Sequence, residues 1–168
     1  KHTYMYDFNN NLVQVNANTA SYLYDALGRR VSKIVGSERI DYFYAGNNVI
    51  EERNASNQTV STYLFGNGID DVLKMNKANS QYYYHKNHLG SAMYMTGAEA
   101  SVVESYKYNP FGEVSFFDAS SSTMQKSAIG NTLLFTGRNY DEETGSYYYR
   151  ARTMHPGLGR FMQPDPLM

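Results

Sequence analysis

The amino-acid sequence predicts an all-β protein in which repeated antiparallel β-hairpins form a curved, β-solenoid-like shell wall. Three observations support this fold class: an excess of tyrosine, aromatic pairs that recur along the chain, and turn residues that come after each pair. The 168 residues include 17 Tyr and 8 Phe but no Trp. Tyrosine suits a pleated sheet, because its ring packs against cross-strand neighbours while its hydroxyl stays in water. The composition alone therefore favours strands over helices.

Aromatic residues two positions apart recur along most of the chain, and the second members of successive pairs are 18 to 24 residues apart. Side chains two positions apart lie on the same face of a strand, so each pair predicts a strand with an aromatic face. A single hairpin cannot bury such a face alone, so successive hairpins are expected side by side in one sheet. All pairs should then lie on one face, with rings stacking between successive hairpins. The pairs are Tyr4/Tyr6, Tyr22/Tyr24, Tyr42/Tyr44, Tyr63/Phe65, Tyr82/Tyr84 and Tyr106/Tyr108.

Turn-forming residues come after each aromatic pair at short range. Their Gly and Asn residues supply the positive-φ positions that tight hairpin turns need. A returning strand is predicted after the turn, as at Arg30–Val35 and Asn48–Glu52. The predicted turns are Asn9-Asn10-Asn11, Leu27-Gly28, Ala45-Gly46-Asn47-Asn48, Gly66-Asn67-Gly68, Leu89-Gly90 and Pro110-Phe111-Gly112.

Helix is expected in less than about a tenth of the chain, because no window carries the apolar stripe of an amphipathic helix. The Ser-rich segment from Ser120 to Ile129 is predicted to be a loop or a single helical turn. It lengthens one connection between strands and does not separate domains.

Composition and charge exclude several classes of function. Lys and Arg number 15 against 16 Asp and Glu, so no basic field would attract nucleic acid or an anionic bilayer. The chain lacks Cys, and no apolar run approaches the roughly 18 residues of a membrane span. His85 and His88 adjoin no carboxylate cluster, which favours a structural role over metal binding. We therefore expect no nucleic-acid partner, no membrane span, no cofactor and no metal.

Several motifs resemble those of RHS/YD-repeat proteins. Residues 22–31, YLYDALGRRV, resemble the YD-repeat consensus, and residues 4–7 open a degenerate copy. The order of blocks in the second half is similar to the RHS core-associated region, which occurs once, at the carboxy-terminal end of the array. The resemblance divides the chain into YD-type hairpin repeats at 1–81 and the core-associated region at 82–168, continuous with the same sheet. The blocks are residues 88–91, 108–113, 135–152 and 155–166.

The family resembled here includes polymorphic bacterial toxins, the C subunits of insecticidal toxin complexes and the teneurin adhesion receptors. The resemblance implies that the repeats spiral into a closed cocoon around a toxic carboxy-terminal domain. It further implies self-cleavage just after an Asp-Pro-x-Gly motif, by chemistry like that of aspartic proteases. Such chemistry needs two carboxylates that share one proton.

Asp165, which precedes Pro166, matches the aspartate of that cleavage motif and is the first predicted catalytic carboxylate. Asp141 is its predicted partner, and Arg138 or Arg160 would orient a carboxylate or stabilise an oxyanion. The alternative interpretations are a turn residue for Asp165 and a structural ion pair for Arg160.

The chain departs from the family pattern at two places near this motif. His155 stands where the family usually has Asp, and Leu167-Met168 come after Asp165-Pro166 where x-Gly is usual. The first departure bears on a carboxylate, and the second displaces the glycine of the cleavage motif. His155 is interpreted either as a proton carrier or as a solvent-facing turn histidine.

Two functions remain open. The first is a structural shell segment that encloses its own carboxy-terminal toxin or effector and releases it by cleavage near Asp165. The alternative is an extracellular structural or adhesive protein whose hairpin arrays assemble through unpaired sheet edges into larger surface or tubular objects. Both imply a secreted or cell-surface protein, with further repeats or copies as partners, and Lys1 without a preceding Met suggests a piece of a longer chain. Any catalysis would be at most a single-turnover self-cleavage of the aspartic type. We do not expect an enzyme that acts on small molecules.

Overall fold

The computed structural model describes residues 3–17 and 19–166, and it is an antiparallel meander that confirms the predicted fold class. In the large sheet each strand pairs with the next along the chain, in 13 strands. These strands are β1 (Tyr4–Tyr6), β2 (Leu12–Val15), β3 (Ala20–Tyr24), β4 (Arg30–Val35), β5 (Glu38–Ala45), β6 (Asn48–Asn54), β7 (Thr59–Phe65), β8 (Val72–Lys77), β9 (Ser80–Lys86), β10 (Ala92–Thr96), β11 (Val102–Tyr108), β12 (Val114–Asp118) and β13 (Thr123–Met124).

The same local turn closes several of these hairpins. At the turn after β3, Asp25 Oδ1 accepts hydrogen bonds from the backbone N–H groups of Leu27 and Arg29, both at 2.9 Å. Gly28 in that turn has a φ of 75°, a left-handed conformation that glycine adopts without strain. The same side-chain-to-backbone bonds form at Asp7, Asn54, Asn87, Asn109 and Asp118. Short Asx turns therefore set the hairpin repeat.

The aromatic pairs line one face of the large sheet, as predicted. Tyr22 is 1% exposed and Tyr106 is 1% exposed, whereas the intervening residues Leu23 and Leu64 are 49% and 54% exposed. The rings are buried in two clusters on this face, one around Tyr22 and a larger one from Tyr42 to Phe116. We call this buried side the aromatic face.

Successive aromatic pairs do not lie on adjacent strands, which corrects the expected ring-to-ring stacking. A returning strand separates them, and alternate strands are about 10 Å apart. The register shifts by one residue near the second ring of a hairpin, for example between Leu23 and Tyr24. This bulge turns the first residue or two of each returning strand inward, between the rings. The inward residues are Leu12, Arg30, Val49, Val72 and Ala92, all less than 9% exposed.

A second sheet begins after the Ser-rich segment, which forms a loop with the short strand β13. Ser127 Oγ donates to Glu104 Oε1 at 2.6 Å, and Tyr84 donates to Asn131 at 2.7 Å, so the loop is fixed to the aromatic face. The chain then forms a four-stranded antiparallel sheet. Its strands are β14 (Asn139–Asp141), β15 (Ser146–Tyr148), β16 (Thr153–His155) and β17 (Arg160–Phe161).

This arrangement differs from the expectation of one continuous sheet over residues 82–168. Strand β9 crosses the predicted boundary after residue 81, so the large sheet itself is uninterrupted there. The chain leaves that sheet after Met124, because buried Glu104 and Asn131 hold the loop against the aromatic face. In the described residues, helical structure is limited to two 3-10 turns, Phe135–Gly137 and Pro156–Leu158.

The second sheet covers the aromatic face and completes the core. Tyr147 is fully buried, its hydroxyl donates to Gly112 O at 2.7 Å, and its ring lies 5.0 Å from that of Tyr140 and 6.0 Å from that of Phe135. Leu134 is also fully buried in the larger cluster. The carboxy-terminal motifs are therefore folded back onto the wall that precedes them.

Candidate functional site

Asp165 is half-buried just beyond β17 and is bound by an arginine that the sequence analysis did not select. Arg152 Nη1 lies 3.0 Å from Asp165 Oδ2, and the Arg152 guanidinium lies 3.8 Å from the centroid of the Phe161 ring. The hairpin brings them together, because Thr153 N–H donates to Gln163 Oε1 at 2.7 Å across it. Arg152 and Asp165, which lie just beyond that bond, then face each other across the hairpin. Arg152 thus fixes the orientation of the carboxylate and places a positive charge beside it.

Asp141 lies in a different environment, a buried ion-pair network between the two sheets. Its Oδ2 is 2.7 Å from Arg30 Nη1 and its Oδ1 is 3.2 Å from Lys33 Nζ. Glu143 joins the network through Lys33 at 3.4 Å and accepts from the Tyr22 hydroxyl at 2.8 Å. Burial alone would raise the pKa of Asp141, but the charges of Arg30 and Lys33 hold it below its ordinary value. Asp141 is thus an ionised link between β14 and β4 at neutral pH.

Arg30 is the centre of this network, and we call its surroundings the Arg30 cage. Its Cζ lies 5.1, 5.4 and 4.4 Å from the ring centroids of Tyr22, Tyr42 and Tyr148. Its backbone N–H donates to the Tyr148 hydroxyl at 2.9 Å. The signal that could have found this arginine was the repeat itself, since Arg30 is the charged member of a set of inward positions that elsewhere holds Leu12, Val49, Val72 and Ala92.

The strand register separates the two predicted carboxylates. Asp141 pairs with Ser146, and continuing the pairing of β15 with β16 puts His155 in the same row across the sheet. Asp165 is bound at Arg152, three residues before His155, at the other end of that row's strands. The separation is about 10 Å along the strands and about 14 Å across them. The structure does not bring Asp141 and Asp165 together as a pair sharing a proton.

The other predicted site residues also lie apart from Asp165. Arg138 Nη2 is 2.9 Å from Asp70 Oδ2, on the turn after β7. Arg160 is exposed at the start of β17, and its backbone pairs with His155. His155 is half-buried, and its Nδ1 is enclosed without a hydrogen-bond partner.

The histidines singled out as possible metal ligands have structural surroundings. His85 stacks on Tyr94 with ring centroids 4.4 Å apart and hydrogen-bonds Thr96 Oγ1 at 3.0 Å. Within residues 3–17 and 19–166, no three His, Asp or Glu side chains converge into a metal-binding group. No helix in this described part of the chain is long and apolar enough to cross a membrane.

A meander of hairpins with one aromatic face, covered by its own carboxy-terminal segment, is the architecture of a YD-repeat shell wall. The sequence profile of the Teneurin YD-shell family matches residues 1–168, and the chain belongs to this family. The resemblance to RHS/YD-repeat proteins drawn from the YD and core motifs is thereby confirmed.

Relatives with the same sequence pattern are far longer than this chain. The tRNA3(Ser)-specific nuclease WapA of Bacillus spizizenii is 31% identical over 173 residues, which cover 99% of this chain and 7% of WapA. The salivary gland surface protein 1 of Aedes aegypti is 29% identical over 89% of this chain and 5% of its own length. The chain spans less than a tenth of the length of these relatives.

Solved structures share the fold at lower identity. The crystal structure of TcdB2-TccC3-Cdc42 matches with a TM-score of 0.74 and 19% identity, over 98% of this chain and 9% of that one. A Tc holotoxin pore of Photorhabdus luminescens matches with a TM-score of 0.70 and 18% identity, over 98% of this chain and 9% of that one. At this identity the likeness establishes the fold.

Proposed function

We propose that this chain is a wall segment of a hollow shell that encloses a carboxy-terminal toxin or effector of the same, longer protein. The observation that carries the proposal is the asymmetry of the large sheet. One face is lined with buried rings and holds the carboxy-terminal motifs, while residues such as Leu23 and Leu64 on the other face are 49% and 54% exposed. A wall needs two such unlike faces, and the motifs folded back onto one of them would direct a downstream effector towards that side.

The names of the relatives support an effector partner and a secreted or cell-surface location. WapA is a tRNA nuclease, and one solved relative contains TccC3 together with Cdc42. The Aedes aegypti relative is a surface protein by name. The present chain carries a net charge of −1 and has no basic field for RNA, so we assign any such activity to an enclosed domain.

We further propose that the longer protein releases its effector by hydrolysing a peptide bond within a few residues after Asp165-Pro166. The Asp165 carboxylate would take a proton from a water as its oxygen bonds to the carbonyl carbon, and would then give that proton to the amide nitrogen as the C–N bond breaks, which leaves a carboxyl group and an amine. Arg152, 3.0 Å from Asp165, would hold that carboxylate in place. Leu167 and Met168 lie outside the described residues.

The test is expression of a precursor that extends past Met168, with mass spectrometry of its products. Asp165→Asn keeps the shape and removes the ionisable group, so it should fold and remain uncut. Asp118→Asn is the matched control, because Asp118 closes an Asx turn that Asn54 closes equally well elsewhere. Equal cleavage of the wild type and Asp165→Asn would refute the catalytic assignment. No cleavage of either would favour a second function, the assembly of hairpin arrays.

This second function, self-association of the hairpin array, is favoured by the turns at one end of the strands of the large sheet. The turns after odd-numbered strands all lie at the same end of the sheet's strands, because a meander reverses direction at each strand. Phe8, Leu27 and Ile69 at these tips are 93%, 78% and 90% exposed. At the opposite end of the strands, Asx turns of the same kind present exposed small residues: Ala55, Ser56, Ser120 and Ser121. Exposed apolar rows of this kind mark interaction surfaces.

We propose a second copy of this chain as the occupant of the apolar row. If the row packed against the turns at the opposite end of the strands, Phe8 and Leu27 would be buried against small polar residues. A two-fold axis instead packs the apolar row of one copy against the apolar row of the other. Light scattering should therefore show a dimer that the double variant Phe8→Ser, Leu27→Ser converts to monomer. Ala55→Ser, in a turn at the opposite end of the strands, should leave the dimer intact. A wild-type chain that stays a 19.1 kDa monomer at high concentration would contradict this assembly.

A further inference from the structure

One carboxylate, Asp70, is shared by two arginines at the junction of the two sheets. Arg138 Nη2 lies 2.9 Å from Asp70 Oδ2, and Arg150 Nη2 binds Asp70 Oδ1. In the part of the chain that the structure describes, neither arginine forms an ion pair with any other carboxylate. By contrast, Arg152 pairs with a different carboxylate, that of Asp165. The Asp70 cluster, defined as Asp70, Arg138 and Arg150, therefore keeps one uncompensated positive charge.

The backbone around the Asp70 cluster is held in unfavourable conformations. Asp70 has a φ of 54°, Arg150 a φ of 62° and Thr136 a φ of 52°, in the left-handed region that residues with a side chain rarely adopt. A Cβ at Gly137 would lie 2.9 Å from the carbonyl oxygen of Asp70, so only glycine fits there. Such conformations cost free energy and tend to gather at functional sites.

A small cavity of about 40 Å³ adjoins the cluster. Arg138 is one of its lining residues, and the Nε–H of Arg138 is buried without a hydrogen-bond partner. Burial lowers the pKa of Arg138, Asp70 opposes that change, and the repulsion of Arg150 adds to it. Asp70 and Arg150 also line the cavity. Three asparagines, whose side-chain amides are able to donate, are further lining residues: Asn47, Asn48 and Asn139.

We propose that this cavity binds one small monovalent anion, a halide or the carboxylate group of a small acid, between Arg138 and Arg150. The anion would neutralise the excess charge of the cluster through charge-assisted hydrogen bonds. A cavity of about 40 Å³ is larger than the roughly 10–15 Å³ that one water needs, so it has room for a small anion.

Binding at this position would strengthen the join between the sheets. Asp70 belongs to the turn between β7 and β8, Arg138 precedes β14, and Arg150 comes after β15. An anion held by both arginines therefore connects the wall to both hairpins of the second sheet. Since it would bind only the folded chain, it should stabilise that state in proportion to the logarithm of its concentration.

The experiment measures the melting temperature of the 168-residue chain in chloride or formate, with methanesulfonate as a larger anion at the same ionic strength. Above the dissociation constant, each tenfold rise in the bound anion should raise the melting temperature by about 3–6 °C. Arg150→Gln leaves Arg138 and Asp70 as a one-to-one pair and should abolish the dependence. Arg39→Gln is the matched control, because Arg39 belongs to a separate, exposed pair with Asp41, and should retain it.

Crystals grown in bromide give a reading that does not depend on any variant folding. An anomalous peak between Arg138 and Arg150 is the expected result. Chloride dependence without formate dependence would identify a halide site, and the reverse a carboxylate site. The proposal is overturned if both anions match methanesulfonate, if Arg150→Gln responds like the wild type, or if chloride raises the melting temperature while bromide occupies other positions only.

Discussion

The carboxy-terminal segment is joined to the early hairpins and to the late hairpins by different forces. At the early end, the join to β4 is ionic, through Asp141, Arg30 and Lys33. At the late end, Tyr147 and Phe135 pack against rings and backbone of the last hairpin, with one hydroxyl bond to Gly112. Ring packing tolerates small changes, whereas a buried ion pair fails when either partner is lost. The early join therefore specifies position more strictly than the late one.

The largest expected effect comes from Asp141→Asn, which would leave Arg30 buried without its counter-charge. Breaking a buried pair in this way costs about 3–5 kcal/mol of the free energy of unfolding. Urea denaturation monitored by circular dichroism measures the change. Asp118→Asn, the same chemical change in an Asx turn, should cost less than about 0.5 kcal/mol. A loss below about 1 kcal/mol for Asp141→Asn would show that the early join is not held by this pair.

Acid should weaken the same join, and the sign depends on the pKa of Asp141. That pKa lies below its ordinary value in the folded chain, so the carboxylate stabilises the fold above the unfolded pKa of about 4. The contribution is lost as pH falls from about 4 through the lower folded pKa. The difference in unfolding free energy between wild type and Asp141→Asn should therefore shrink between about pH 5 and pH 2. A difference that stays constant over that range contradicts the assignment.

A smaller effect is expected at the late join from Tyr147→Phe. The ring remains, but Gly112 O loses the hydrogen bond it accepts at 2.7 Å, which costs about 1–2 kcal/mol. Tyr83→Phe is the control, because its hydroxyl bonds Gln81 on the exposed face and should change stability little. A loss for Tyr147→Phe as large as that for Asp141→Asn would remove the contrast between the two joins.

The smallest effect is expected at the exposed pair of Lys126 and Glu142, which are 3.8 Å apart at the rim of the second sheet. Their side chains are 71% and 38% exposed, so water and salt screen the attraction. Lys126→Gln should change the unfolding free energy by less than about 0.5 kcal/mol. A clear loss that disappears in about 1 M salt would show that surface charge also contributes to the join.

Local patterns accounted for most of the wall without any tertiary information. Strand β4 begins and ends where the spacing predicted, at Arg30 and Val35, because hydrophobic alternation and Gly28 act over a few residues. The bulge beside Tyr24 was not visible, since a one-residue register shift depends on two strands together. The burial of Arg30 depends on that shift and could not be predicted without it.

The candidate site was likewise only partly predictable from local sequence patterns. Asp165 could be selected from its motif, but the choice of Asp141 as its partner needed a distance that only the register of β14 to β17 supplies. Arg152 was overlooked for the same reason, because its contact with Asp165 forms across a hairpin closed by Gln163.

The sequence by itself determined the class of fold, the family and the face on which the rings lie, since each depends on spacings of two and of about twenty residues. Only the tertiary structure decided that the chain leaves the large sheet after Met124 and folds back to cover it. That reversal depends on contacts between distant residues, such as Glu104 with Ser127 and Arg30 with Asp141. A polar or charged group that is buried needs a partner, and no local sequence pattern indicates which distant segment supplies it.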